Sequence, residues 1–168
     1  MPDDNKLFFK VLDKTINFLS YKSRSVKEVS DRIDVYLKKV KSLSQDEAAS
    51  LKERVLTEFT NLRLLDDLAF AKTYIKERVN SPKPSSKRAI ANFLYKKGIP
   101  KAIMEEALQE LSPESELASV NKMADKKLRS LVKYDKRETK RRLAAYLIGK
   151  GYSPGIVFTV VDTKFKVK

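Results

Sequence analysis

Residues 64–111 read LLDDLAFAKTYIKERVNSPKPSSKRAIANFLYKKGIPKAIMEEALQEL, and the apolar spacing in this stretch decides the fold. Leu68, Ala71, Tyr74, Ile75 and Val79, with Phe70 beside them, recur at the three-and-four spacing of one buried helical face. Asp66 and Asp67 stand at its start, where a carboxylate accepts orphan backbone N–H groups and faces the positive end of the helix dipole. A second stripe, Ile90, Phe93 and Leu94, stops at Gly98, a residue suited to the left-handed position after a helix. Pro100 restarts the chain as the first helical residue, and Ile103, Ala107, Leu108 and Leu111 form a third stripe. Three short helices in one compact unit follow.

Both flanks repeat this plan. Upstream, residues 1–6 are polar and are expected to fray. Phe8, Val11, Leu12, Thr15, Ile16 and Leu19 then predict a helix ending near Lys22. Ser25 with Glu28, and Ser44 with Glu47, have the spacing of capping boxes. The first opens a stripe of Val26, Val29, Ile33, Tyr36, Leu37 and Val40; the second opens Ala48, Leu51, Val55, Phe59 and Leu62. Downstream, Ser112, Pro113 and Glu114 combine cap, first-turn proline and acid, ahead of Leu117, Val120, Ala124, Leu128 and Leu131. The segment DKRETKRRLAAYLIGKG superposes on the middle unit at an offset of 53, which sets Leu147, Lys150 and Gly151 on Leu94, Lys97 and Gly98. Ser153 and Pro154 open a last helix through IVFTVV, whose β-branched residues favour a strand but would find no pairing partner. The expectation is all-α: an elongated modular array of three tandem three-helix units, 1–65, 66–111 and 112–168.

Charge is distributed unevenly along this array. Of the 36 Lys and Arg, 16 fall in residues 1–80 against 13 acids, and 20 fall in residues 81–168 against 9. A basic half predicts a polyanionic partner, with nucleic acid ahead of an anionic membrane. The chain has neither Cys nor His, which removes disulfides, thiolate metal sites and the commonest general base. No apolar run approaches membrane-spanning length and no signal peptide is evident, so a cytoplasmic address is expected. The four glycines make no phosphate-cradling loop, and Asp66 and Asp67, being adjacent, diverge on a helix instead of converging on a substrate. The chain is therefore expected to be no enzyme, with no catalytic residues, metal site or cofactor.

A helix-turn-helix DNA reader is the main rival, because KKGIP resembles its turn. Its recognition helix would be KAIMEEALQEL, where Glu105, Glu106 and Glu110 would be repelled by phosphates. The turn is better read as packing. The stronger signal is the run from Lys122 to Arg142, ten cations against three acids. Lys136, Arg137, Lys140 and Arg141 fall in the opening turns of a helix, where each cation costs about 0.3–1 kcal/mol at an exposed site. A merely solvated face gives no reason to place them there. The candidate anion-facing residues are these four with Lys126, Lys127, Lys133, Arg142 and Lys150, and with Lys87, Arg88, Lys96 and Lys97 in the middle unit. Tyr134 and Tyr146 are candidates for stacking on bases, although Tyr146 aligns with Phe93 of the core stripe.

The middle unit also resembles a known family. Leu64, Leu65, Asp66, Asp67, Phe70, Ala71 and Arg78, followed by Leu94, Lys97, Gly98 and Ile99, are similar to the middle repeat of RecX, bacterial regulators of the RecA recombinase. Ile16, Leu19, Arg24 and Ser25 fit that family's opening repeat. The chain departs from it in the loop Ser81–Ser85, where the family commonly has a glycine. The resemblance implies a monomeric regulator that binds the RecA filament and modulates, chiefly inhibits, the recombinase, with single- or double-stranded DNA assisting. From composition alone, a nonspecific DNA-binding architectural protein is the alternative.

Overall fold

The structure, a computed structural model, describes residues 2–166. Met1, Val167 and Lys168, the expected outer edges of the first and third units, lie outside the described residues. Among the described residues the chain forms nine helices and no strand: α1 (Pro2–Ser20), α2 (Val26–Leu37), α3 (Gln45–Asn61), α4 (Asp67–Asn80), α5 (Lys87–Lys96), α6 (Lys101–Leu108), α7 (Pro113–Leu128), α8 (Lys136–Gly149) and α9 (Pro154–Phe165). No helix among these is long and apolar enough to cross a membrane. The IVFTVV segment is helical, and it buries Val157, Val160 and Val161 where a lone strand would have left them without a partner.

Three separate cores follow the chain in order, an all-α modular array. Val11, Val29, Ile33, Leu37, Leu51, Val55, Phe59 and Leu65 close the first, between α1, α2 and α3. Ala71, Ile75, Ile90, Leu94, Ile99, Ala107 and Leu108 close the second, between α4, α5 and α6. Val120, Met123, Ala124, Leu131, Leu143, Leu147, Tyr152, Val157, Val160 and Val161 close the third. Each core is small, so each helix boundary has to be set locally. Both capping boxes form: the Ser25 and Ser44 hydroxyls accept from the backbone of Glu28 and Glu47, whose carboxylates accept in return from the cap N–H. Gly98 and Gly151 take the left-handed conformation, φ 75° and 93°, that ends α5 and α8. At the end of α3 the same role falls to Arg63, φ 55°, which stops the helix at Asn61.

Several boundaries and faces differ from expectation. The helix of the first unit starts at Pro2, with no fray through residue 6; a proline is compatible with the first helical turn. Pro100 is the cap of α6 and not its first residue, because its ψ of 143° is extended. Phe93 is half-buried, its ring stacked on Tyr74 at 4.0 Å and 10°, in a groove that Lys22, Ser23 and Glu28 of the first unit also line. Ile16, Leu62 and Leu117 are exposed, each at the margin of its stripe. Phe18 takes the place of Ile16, covered by the guanidinium groups of Arg24 at 4.2 Å and Arg32 at 5.2 Å. The loop Ser81–Ser85, with no glycine, is closed by side chains: Ser81 accepts from the Lys83 N–H, Arg78 donates to Ser85, and Pro84 is buried.

Candidate nucleic-acid interface

The opening turns of α8 set a run of cations beside two carboxylates, Asp135 and Glu138. Asp135 caps the helix, its Oδ1 accepting the Glu138 N–H at 2.8 Å. Glu138 then receives Arg141 Nε and Nη2 at 2.8 and 2.6 Å and Arg142 Nε at 2.6 Å. Arg141's hydrogen bond outweighs the opposing effect of desolvation and, with Arg142, holds the Glu138 carboxyl at about 2, well below its ordinary 4.5. The clamp does not bury the arginines. Arg141 stays 69% exposed and keeps the remainder of its five N–H donors for an outside acceptor. Lys136 and Arg137 are exposed and, among the described residues, enter no ion pair. Lys140 leans the other way, toward α9, with Asp162 at 3.6 Å and the Phe165 ring at 5.6 Å.

Four further cations of this unit lie over two tyrosines. Lys133 and Arg142 lie over Tyr134 at 5.3 and 4.1 Å. Lys127 and Lys150 lie over Tyr146 at 5.1 and 5.5 Å, and Lys126 is exposed beside them. A ring so covered holds its cations by its negative face. Tyr134 and Tyr146 are thereby covered in part, which leaves less of either ring open to a base.

Joints between units decide which middle-unit cations join this surface. Ser86, the cap of α5, donates its hydroxyl to the Lys150 carbonyl at the end of α8, 2.8 Å away. The same arrangement recurs one unit earlier, where Ser25, the cap of α2, donates to the Lys97 carbonyl at the end of α5 at 2.6 Å. The second helices of the three units therefore meet end to end, in the order α8, α5, α2. Gly151 makes the close approach possible: a Cβ there would lie 2.7 Å from Ser86 Oγ and 3.1 Å from Arg88 Nε. Arg88 is thus placed at the α8–α5 joint, and Lys87 and Lys96 are exposed along α5. Lys97 is not free for an anion. Its ammonium bonds Glu28 Oε1 at 2.5 Å, so it belongs to the α5–α2 joint. Burial works to raise the Glu28 pKa, but Lys97, the Ser25 N–H and Arg24 outweigh it and lower it.

Asp67 also serves the joint and not the cap. Asp66 Oδ1 takes the Ala69 N–H, whereas Asp67 is buried with Oδ1 accepting the Val26 N–H of the first unit at 2.9 Å. Burial, with the charge of Asp66, raises its pKa against the lowering by that N–H. Two adjacent aspartates give no sign of this division in the sequence, since a partner 41 residues away is a tertiary fact. Glu105 and Glu106 are exposed on α6 and Glu110 in the turn after it, where their charge would oppose the entry of that helix into a DNA groove.

The units correspond to known domains. Residues 114–161 match the profile of the third three-helix domain of RecX, and residues 66–108 that of the second. The chain is 35% identical over 148 residues to the regulatory protein RecX of Finegoldia magna, across 87% of this chain and 67% of that protein. It is 32% identical to RecX of Oceanobacillus iheyensis, across 91% and 53%. It spans about half the length of this and several other curated relatives. A crystal structure of RecX from Lactobacillus salivarius superposes with a TM-score of 0.78 at 24% identity over 97% of each chain. A second RecX crystal structure, covering 95% of this chain and 74% of its own, gives 0.78 at 22%. With two consecutive domain profiles falling on the second and third cores, and with identity sustained along most of this chain, the protein belongs to the RecX family, which is one of regulatory proteins and not of enzymes.

Proposed function

We propose that this chain binds the RecA nucleoprotein filament as a monomer and inhibits the recombinase, in the cytoplasm, with the α7–α8 face of its third unit against DNA phosphates. Units divided at 1–65, 66–111 and 112–168 would lie along the filament in that order. The observation that carries the reading is the concentration of exposed cations at the start of α8, in a member of the RecX family. Cations at a helix N-terminus oppose the dipole, so a compensating anion outside the protein explains them best. The unit caps itself with Asp135 and clamps Arg141 and Arg142 on Glu138, yet leaves Lys136, Arg137 and most of Arg141 facing solvent. Steady-state ATPase of RecA on single-stranded DNA tests the assignment, with a fall expected as the protein is added. An unchanged rate at saturation would remove the recombinase and leave a DNA-coating protein.

A further inference from the structure

One aromatic of the basic half stands apart from those already described. Tyr95 on α5 is 75% exposed. Tyr134 and Tyr146 lie under cations, Tyr152 is buried, and Phe93 is stacked on Tyr74. Phe158 is also exposed, at 55%, but it lies on α9, where Lys164 is tied to Asp125 at 2.5 Å. Tyr95 has different neighbours. Arg88, Asn92 and Lys96 are exposed on the same helix, at spacings of seven, three and one from Tyr95, so Arg88 and Asn92 share its face. Among the described residues neither Arg88 nor Lys96 enters an ion pair. At the offset of 53 the corresponding residue of the third unit is Ile148, so the ring is particular to the middle unit.

A flat aromatic face among unpaired cations, with no carboxylate on the same stretch of helix, suits one kind of ligand. Bases freed from a duplex present π-faces spaced along a phosphate backbone, and a ring with flanking cations satisfies both parts. Paired bases are stacked inside the duplex and present only edges in the grooves, so a ring on a helix surface gains nothing from them. The end-to-end joint through Ser86 and Lys150 places Arg88 against Gly151, next to Lys150 at the C-terminal end of α8. We infer that Tyr95 is a stacking platform for an unpaired base of single-stranded nucleic acid, with Arg88 and Lys96 on the adjoining phosphates, and that it biases the chain toward single strands. This rests on the reading of the basic face as a nucleic-acid surface.

The chain contains no Trp, so Tyr95→Trp introduces a single indole whose emission reports base stacking directly. On adding oligothymidylate to the full chain, that emission is expected to be quenched. In parallel, anisotropy with labelled oligothymidylate is expected to show Tyr95→Ala weakened by about 5- to 150-fold. Tyr95→Phe, which keeps the ring, should bind like the parent, as should Phe158→Ala. Duplex of the same length should bind the parent and Tyr95→Ala equally, and circular dichroism should show unchanged helicity. Binding without quenching, or equal losses on single strand and duplex, would overturn the platform while leaving the basic face standing. Failure of the parent to bind either DNA at low salt would overturn both.

Discussion

Ser86 Oγ donates to the Lys150 carbonyl at 2.8 Å while accepting the Ala89 N–H at 3.2 Å, so one hydroxyl closes the N-terminus of α5 and the C-terminus of α8. Helix ends leave orphan donors at one terminus and orphan acceptors at the other, and a serine can serve both at once. Ser25 does the same between α2 and α5, with Lys97 O at 2.6 Å and the Glu28 N–H at 3.2 Å. Both serines are buried, so water cannot replace their hydroxyls. Ser86→Ala is therefore expected to cost about 1–3 kcal/mol, the cap removed together with the partner of a buried carbonyl. Urea unfolding measures it, and Ser25→Ala should give a loss of similar size. Losses below about 0.5 kcal/mol for both would show that the joint adds nothing beyond an exposed cap.

Asp67 is a buried acceptor whose charge works against the fold. Its raised pKa means that the stability it contributes is fully present below the ordinary 3.8 and is lost as pH rises through the folded value. Asp67→Asn retains an oxygen for the Val26 N–H and removes the charge, so at neutral pH it should match or exceed the parent in stability. Asp67→Ala leaves that N–H unpaired and should cost about 1–3 kcal/mol. Thermal melts at pH 7 and pH 4 separate the two, with the gap between Asn variant and parent closing at the lower pH.

Glu138 behaves oppositely. Its depressed pKa, about 2 against the ordinary 4.5, contributes stability above 4.5 that is lost as pH falls through about 2. A carboxyl chemical-shift titration should place its midpoint there. Replacing Arg141 and Arg142 by Gln should bring the midpoint back toward 4.5. A parent midpoint already near 4.5 would show that the clamp does not hold in solution.

Cations in the opening turns of α8, three of them exposed and Lys140 half-buried, should dominate the salt dependence of DNA binding. Replacing Lys136, Arg137, Lys140 and Arg141 with Gln should reduce the slope of log K against log salt by about 0.7–0.9 for each phosphate no longer neutralised. Helicity should be unchanged, because none of the four belongs to the buried face of Thr139, Leu143 and Leu147. Lys6, Lys10, Lys38 and Lys39 make a control of equal charge: all are exposed and, among the described residues, free of ion pairs. Lys52 and Lys14 would be poorer choices, since one bridges Asp34 at 2.9 Å and the other lies over Tyr36 at 5.5 Å. An equal fall in slope from both sets would mean that net charge alone drives binding.

The helices, their caps and the sense of the charge were determined by the sequence itself. Hydrophobic period, capping boxes and left-handed glycines act within a few residues, so Ser25 with Glu28, Ser44 with Glu47 and Gly98 could be read without tertiary information. The cation run of α8 was legible for the same reason: it is contiguous in sequence and stays largely exposed in space. What only the tertiary structure decided is how units meet. Lys97 looks like one more cation until Glu28 is placed 2.5 Å away, and Asp67 looks like a second cap until Val26 is found beside it. Tyr146 and Tyr134 look like stacking residues until Lys127 of α7 and Arg142 of α8 settle on their faces. Each of these pairs joins groups on different structural elements, and no local pattern records which side chain burial will bring against which. Tyr95 is the converse, because its ring is left uncovered only by where α4, α6 and the neighbouring units pack around α5.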